Sequence, residues 1–251
     1  MKSNRSMSIF SYTKQVRGFR KSMKPTNWFH TILFLLLIPV TIYSCSHQSA
    51  RQIIDFMSGW RFRLGDDTLA YHQDYDDSGW RVLNLSHDWG IEGAFSKDHP
   101  ARPEGGGLPT GIGWYRKTFT LHKAAKDKTL FADFDGVYRN SEVWINGHHL
   151  GKRPNGYISF RYDLTPYLHF GKEKNVLAVR VDNSGQPHSR WYTGSGIYRN
   201  VWLVITGRVH VDHWGTFITT PEISEHSARI SLNIKLHKRF QDPATVSIIS
   251  K

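Results

Sequence analysis

The sequence predicts an all-β protein. From Trp60 onward, apolar and polar side chains alternate with a period of two, and no stretch of a dozen residues repeats apolar positions at helical spacing. Many short predicted strands are separated by turns, which is typical of β-sandwiches and jelly rolls and less so of barrels. The chain of 251 residues, 39% of them apolar, is long enough for one large β-domain and part of another.

The N-terminal segment is basic and then apolar. Seven Lys and Arg residues and no acidic residue precede Ser44, and subtracting them from the net charge of +12 leaves +5 for the remainder. That remainder interleaves both signs of charge, as an ordinary solvated surface does, so we predict no nucleic-acid partner. Residues 28–43 form an apolar run that is shorter than the roughly 20 residues of a membrane-spanning helix.

Cys45 is the only cysteine, and it directly follows this apolar run. The series Ile42-Tyr43-Ser44-Cys45 resembles a bacterial lipobox, which predicts a signal peptide over residues 1–44 and lipidation of Cys45. We therefore expect an envelope lipoprotein, periplasmic or on the outer membrane, that is held to the membrane by its lipid anchor. The alternative is an uncleaved N-terminal anchor with an incidental cysteine.

The strands follow residues 45–54, which we interpret as a linker. Residues 114–121 alternate aromatic or aliphatic with polar side chains, as one buried and one solvated face require. Asn146-Gly147 after residues 141–145 is a strong hairpin signal, because both residues tolerate positive φ. The predicted strands are 60–64, 80–85, 114–121, 129–135, 141–145, 157–162, 175–181, 197–205, 209–214 and 228–236.

The strand pattern restarts after Gly207, which places a domain boundary there. We predict a first domain over residues 55–207. Residues 208–251 hold about three strands, whereas an immunoglobulin-like sandwich needs roughly seven. They are therefore expected to be an incomplete second domain.

The glycine-rich stretch 105–113 does not fit a phosphate-binding loop, because it lacks the Lys-Ser/Thr pair and leads into a strand. We interpret it as a flexible loop that lets the backbone approach a neighbouring surface. The adjacent His148 and His149 would point to opposite faces of a strand, and residues 74–77 lack the glycine and glutamate of a calcium loop. We predict no metal site, no cofactor and no nucleophile of the Ser-His-Asp or Cys-His type.

Aromatic and polar side chains meet in residues 182–192. Sugars stack on aromatic rings and hydrogen-bond to Asp, Asn and Arg, and this loop contains all of these types. The predicted substrate-binding residues are Asp182, Asn183, Arg190 and Trp191. The alternative reading of a tryptophan in a sandwich is core packing, which we expect for Trp114, Trp144 and Trp202.

A series of short motifs is similar, in order, to the sugar-binding domain of glycoside hydrolase family 2, the β-galactosidase family. Each motif alone is weak, but eight in order over residues 55–207 are specific. They are Trp60-Arg61-Phe62, Asp76-Asp77-Ser78-Gly79-Trp80, His87-Asp88-Trp89, the run from Gly113 to Phe119, Phe134-Asp135-Gly136-Val137, Trp144-Ile145-Asn146-Gly147, Tyr162-Asp163-Leu164-Thr165 and Gly194-Ser195-Gly196-Ile197-Tyr198-Arg199.

The resemblance implies a jelly-roll β-sandwich followed by the start of an immunoglobulin-like β-sandwich. It also implies a retaining mechanism with two glutamates on a (β/α)₈ barrel, before which this chain stops, so no catalytic residue is expected here. Asp182 holds the place of a family aspartate that reaches the barrel's active site. The chain departs from the family pattern at Leu108, where an asparagine is usual, and at Ser86, where a proline is usual.

The predicted function is therefore the non-catalytic N-terminal part of an exo-β-glycosidase, most directly a β-galactosidase. Its predicted partners are a β-galactoside or related oligosaccharide and the catalytic barrel. Association with a second copy of the chain is left open. One alternative is a carbohydrate-binding lipoprotein that acts alone, and another is a sandwich that serves only subunit contacts. We expect the chain alone to be inactive.

Overall fold

A computed structural model describes residues 51–249 and the backbone of residues 11–12. Among the described residues the regular structure is almost entirely β, which confirms the predicted fold class. The strands are β1 (Ser11–Tyr12), β2 (Arg51–Asp55), β3 (Trp60–Leu64), β4 (Arg81–Leu83), β5 (Gly111–Thr120), β6 (Thr129–Phe134), β7 (Ser141–Ile145), β8 (His148–Arg153), β9 (Phe160–Asp163), β10 (Lys174–Asn183), β11 (Val201–Thr206), β12 (Val209–Ile223) and β13 (Ala228–Lys238).

Two antiparallel sheets form a sandwich. One has six strands in the order β4-β3-β5-β10-β7-β8, and the other has four in the order β2-β11-β6-β9. The side chains that alternate inward from both sheets share one hydrophobic core, as the period of two predicts. Its buried members include Trp60, Phe62, Tyr115, Val143, Ile145, Leu177, Val179 and Val181 from the larger sheet and Leu130, Ala132, Phe134, Phe160, Tyr162, Val201 and Leu203 from the smaller one.

A second, smaller cluster covers the outer face of the larger sheet, where Trp114 and Ala178 pack with Ala70 and Trp80. Arg116 fixes the covering segment, residues 66–80. Its guanidinium is 1% exposed and donates to the carbonyls of residues 70 and 72 and to the Asp77 carboxylate, the last at 2.8 Å. The segment ends in a turn at residues 77–80, where Trp80 N donates to Asp77 O at 3.0 Å.

Several predicted elements differ from the structure. Strand β2 occupies part of the predicted linker 45–54, and β8 lies where no strand was predicted. The hairpin at Asn146-Gly147 is confirmed, since β7 pairs with β8 and the two turn residues have φ of 50° and 81°. Trp114 is buried as predicted, because residues 66–80 cover it on the outer face of the larger sheet. Trp144 and Trp202 also lie on outward faces of their sheets and are only half-buried.

The described residues divide into two compact units, Arg51–Arg208 with residues 239–249, and Val209–Lys238 with residues 11–12. In the second unit β12 and β13 form a long hairpin with a register shift between Val211 and Thr216. Strand β12 extends well past the predicted end at residue 214. The interpretation of this hairpin as the start of an immunoglobulin-like domain stays a prediction.

Apart from the backbone of Ser11–Tyr12, the predicted signal peptide lies outside the described residues, as does the lipidation site Cys45. Within the described part of the chain, no helix has the length and apolar character needed to cross a membrane.

Candidate functional site

The predicted sugar-binding loop lies at the end of the sandwich where β10 stops. The residues that follow this loop pair with the segment after β4, because His87 N donates to Ile197 O at 2.8 Å and Trp89 N donates to Ser195 O at 3.0 Å. The glycine-rich segment also approaches this loop, and the Tyr192 ring lies against Gly106. Three segments that are distant in sequence therefore meet at this end of the sandwich.

A shallow cleft of about 400 Å³ opens between two of these segments. Its walls carry charged and polar side chains and one proline. They are Arg102, Glu104, Pro187, His188, Ser189 and Arg190. Burial is the main cause that lowers the pKa of His188, and the nearby positive charge of Arg139 lowers it further. Both favour a neutral imidazole beside the cleft.

Asp182 lies within strand β10, paired with Ile112, and not on a loop after residue 181 as its sequence predicts. Its carboxylate accepts bonds from the backbone N–H and hydroxyl of Ser184, at 3.0 and 2.6 Å. Arg180 adds an ion pair at 3.3 Å. Burial acts to raise the pKa of Asp182, but these bonds and the Arg180 charge outweigh it and lower the pKa, so the carboxylate is ionised at neutral pH.

Arg180 links Asp182 to a second carboxylate that sequence reasoning missed. Its Nη2 lies 2.7 Å from Asp66 Oδ2 and its Nε lies 2.9 Å from Oδ1, which is a bidentate geometry. The hydrogen bonds from Arg180 bring the pKa of Asp66 down to about 2. The position of Arg180 two residues before Asp182 on one strand face was a usable signal, but Asp66 is 114 residues away and gave none.

Asn183 points to the opposite face from Asp182 and is 1% exposed. Its Nδ2 donates to Ser195 Oγ at 2.9 Å, and its Oδ1 lies 3.0 Å from both Gln186 Nε2 and His188 Nε2. Because its amide is used by the loop itself, Asn183 is placed to shape the loop. Asp182 and Asn183 therefore do not share one surface.

Trp191 and Arg190 are the outward members of the predicted set. Trp191 is 62% exposed, and its indole N–H reaches the Tyr157 hydroxyl only at 3.4 Å. Tyr157 is itself 54% exposed and packs edge-on against Tyr138. An exposed indole beside a guanidinium and a cleft offers a stacking surface and hydrogen-bond donors, which is the chemistry that holds a sugar ring.

Comparison with known proteins decides the family of this domain. The family model described as glycosyl hydrolases family 2, sugar binding domain, matches residues 102–207. The chain carries a glycosyl hydrolase family 2 sugar-binding domain. Two of the three segments that meet at the end of the sandwich, the glycine-rich segment and the predicted sugar-binding loop, lie within the matched residues.

Curated relatives agree with this assignment. The chain is 54% identical over 207 residues to a β-galactosidase of Bacteroides ovatus, BoGH2A, covering 82% of the chain and 24% of that protein. It is 44% identical over 204 residues to a putative β-glucuronidase of Formosa agariphila, covering 80% and 20%. The chain therefore spans about a quarter or less of the length of these relatives, at 24% and 20%.

Solved structures agree as well. A β-glycosidase from Bacteroides vulgatus superimposes with a TM-score of 0.72 at 48% identity, covering 76% of this chain and 25% of that one. A Bacteroides uniformis β-glucuronidase gives a TM-score of 0.63 at 31% identity, covering 72% and 22%.

Within residues 51–249, no group of three or more His, Cys, Asp or Glu side chains is arranged to hold a metal.

Proposed function

We propose that this chain is the N-terminal, non-catalytic part of a retaining exo-β-glycosidase that hydrolyses β-galactosides. The observation that carries the proposal is the 54% identity over 207 residues to the Bacteroides ovatus β-galactosidase. In the proposed enzyme the two catalytic glutamates lie in a barrel domain, about 5 Å apart, as retention of configuration requires. The loop end of this sandwich then adds contacts to the sugar held there.

The chemistry of the loop end supports such a contributing role. Asp182 supplies an ionised acceptor for a sugar hydroxyl, and Trp191 supplies an apolar ring face. Arg190 adds a donor on the cleft wall. These groups bind and orient a sugar, and the proposal assigns them no proton transfer or nucleophilic attack.

A β-glucuronidase is the second candidate, and a specific observation favours it. Arg102 and Arg190 line the cleft with only one acidic residue, Glu104, among its walls. Two guanidinium groups would suit the carboxylate of a glucuronide. The 44% identity to the putative β-glucuronidase of Formosa agariphila fits the same reading.

The two substrates are separated by kinetics on the longer protein that this chain would begin. We expect kcat/KM for an aryl β-galactoside to exceed that for the matching aryl β-glucuronide by at least about a hundredfold, the size of a discrimination based on charged hydrogen bonds. Arg190→Gln should leave this preference in place. A preference for the glucuronide that Arg190→Gln abolishes would replace β-galactosidase with β-glucuronidase.

We further propose that Cys45 carries a lipid that anchors the protein in a bacterial envelope. The basic segment, the apolar run and the lipobox-like Ile42-Tyr43-Ser44-Cys45 support this. Labelled palmitate fed to expressing bacteria should enter the wild-type chain and not Cys45→Ser. Equal labelling of both would contradict the anchor.

A carbohydrate-binding lipoprotein that acts without a barrel is the remaining alternative. The exposed Trp191 and Tyr192 favour it, since exposed aromatic rings bind sugars without catalysis. Millimolar galactose should leave the fluorescence of residues 1–251 unchanged if sugar binding needs the barrel. If galactose instead quenches the tryptophan fluorescence saturably, and Trp191→Ala abolishes that quenching, the result would support the lipoprotein that binds sugar alone.

A further inference from the structure

The Asp88 carboxylate joins two segments that lie more than a hundred residues apart. Its Oδ1 accepts from Gly90 N at 2.9 Å and from Ser195 N at 2.8 Å. Its Oδ2 accepts a short bond from the Tyr192 hydroxyl. One side chain thus holds its own turn and the C-terminal half of the loop that carries Trp191.

The surrounding backbone is built to admit this pair of side chains. A Cβ at Gly194 would lie 2.7 Å from Asp88 Oδ2, and one at Gly90 would lie 3.1 Å from both Asp88 Oδ1 and the Tyr192 hydroxyl. On the other side of the ring, a Cβ at Gly106 would lie 3.2 Å from Tyr192. Larger residues at Gly194 would push the carboxylate out of its place, so the Asp88–Tyr192 contact depends on glycine there.

Trp191 has little else to fix it. Its side chain is 62% exposed. Its indole N–H reaches the Tyr157 hydroxyl only at 3.4 Å, and its backbone carbonyl accepts a hydrogen bond from the Ser189 hydroxyl at 2.8 Å. The direction of the indole is therefore set mainly by the chain on either side of it. Tyr192 is the next residue, and Asp88 holds it.

We propose that Asp88 is a positioning residue which, through Tyr192 and Ser195, holds Trp191 in place for sugar stacking. The proposal rests on the sugar-binding function proposed above and adds a residue outside the loop to it. An ordered surface loop binds more tightly than a mobile one, because less conformational entropy is lost on binding. Asp88 thus acts on sugar affinity without touching the sugar.

The loop's order is tested without any sugar, by hydrogen exchange on residues 1–251. Tyr192→Phe removes one bond and no packing, so amides 190–195 should exchange roughly five- to tenfold faster, the worth of about one net hydrogen bond. Asp88→Asn leaves the Tyr192 hydroxyl and Ser195 N with at most neutral hydrogen-bond partners in place of a carboxylate, and should accelerate exchange at the same amides. Asp98→Asn, on a nearby exposed loop, is the matched control and should change nothing at 190–195.

Two results would overturn the positioning role. One is exchange at 190–195 that stays at the wild-type rate in both Tyr192→Phe and Asp88→Asn. The other is an equal acceleration at 190–195 and in strand β5, which would mean that the whole sandwich is weakened and that the effect is not local.

Kinetics on the longer protein test the link to sugar binding. Tyr192→Phe should raise KM for an aryl β-galactoside about three- to tenfold with kcat nearly unchanged, because uniform binding is lost. A lowered kcat at unchanged KM would indicate loss of folded enzyme and would contradict the proposal. If the wild-type protein fails to cleave the galactoside, the proposed function fails, and the exchange experiment alone decides whether Asp88 orders the loop.

Discussion

At the residue scale, Asp182 combines a loop contact with a proposed sugar contact. In the longer protein, Asp182→Ala should lower kcat/KM by about tenfold to a hundredfold, since a charged hydrogen bond is worth roughly 1.5–3 kcal/mol. The melting temperature should fall by only a few degrees, because Ser184 and the surface ion pair with Arg180 are all that is lost.

Ser184→Ala is the matched control for Asp182, because it removes a loop bond and keeps the carboxylate. It should leave kcat/KM close to wild type. A large drop in melting temperature together with unchanged kcat/KM in Asp182→Ala would make this carboxylate purely structural.

His87 gives the fold a dependence on pH. The ring is 9% exposed, lies 2.7 Å from the Tyr115 hydroxyl and 2.8 Å from Arg81 Nη2, and burial lowers its pKa. A histidine whose pKa is lower in the folded state binds a proton more readily when unfolded. The stability it contributes is therefore present above its unfolded pKa of about 6.5 and is lost as the pH falls below that value.

Urea unfolding at pH 7 and pH 5 measures this effect. The wild-type chain should lose more stability between the two pH values than His87→Gln does. His226→Gln, at the exposed turn of the hairpin, is the control and should lose as much stability between the two pH values as the wild-type chain does. Equal losses in wild type and His87→Gln would contradict a proton-linked role for His87.

At the scale of elements, Arg116 holds the segment 66–80 against the larger sheet. Arg116→Met would leave Asp77 without its buried partner and several carbonyls without a donor. We expect a loss of about 3 kcal/mol or more in the free energy of unfolding, measured in urea. Arg63→Met, whose side chain is 51% exposed, should cost less than about 1 kcal/mol, and equal costs would contradict the anchoring role of Arg116.

The alternation of apolar and polar residues in the sequence predicted the strands that have one buried face. It did not predict the strands in which neither face is well buried. Strand β8 is exposed or half-exposed along its whole length, so its polar sequence carries no alternating signal. Strand β2 is similar, with Ile53 62% exposed and Ile54 41% exposed. The site shows the same limit, since the loop was readable from its residue types, whereas the contacts of Asp66 and Asp88 join residues too distant for any local pattern.

At the scale of the whole molecule, the two compact units should differ in stability. Residues 209–238 form a hairpin in which Trp214, Phe217 and Ile223 are 79%, 67% and 78% exposed. A hairpin with so little burial is marginal, so its amides should exchange faster than those of residues 113–121. Equal protection of the two regions in residues 1–251 would contradict the domain boundary at residue 207.

In the proposed function, this chain supports a glycosidase without performing its chemistry. The most direct measurement compares turnover of an aryl β-galactoside by residues 1–251 alone and by the longer protein. We predict no turnover above a buffer blank for residues 1–251, because two positioned carboxyl groups are needed for the reaction, and clear turnover for the longer protein. Turnover by residues 1–251 alone would contradict the absence of catalytic carboxyl groups from this chain, and no turnover by the longer protein would contradict the proposed glycosidase.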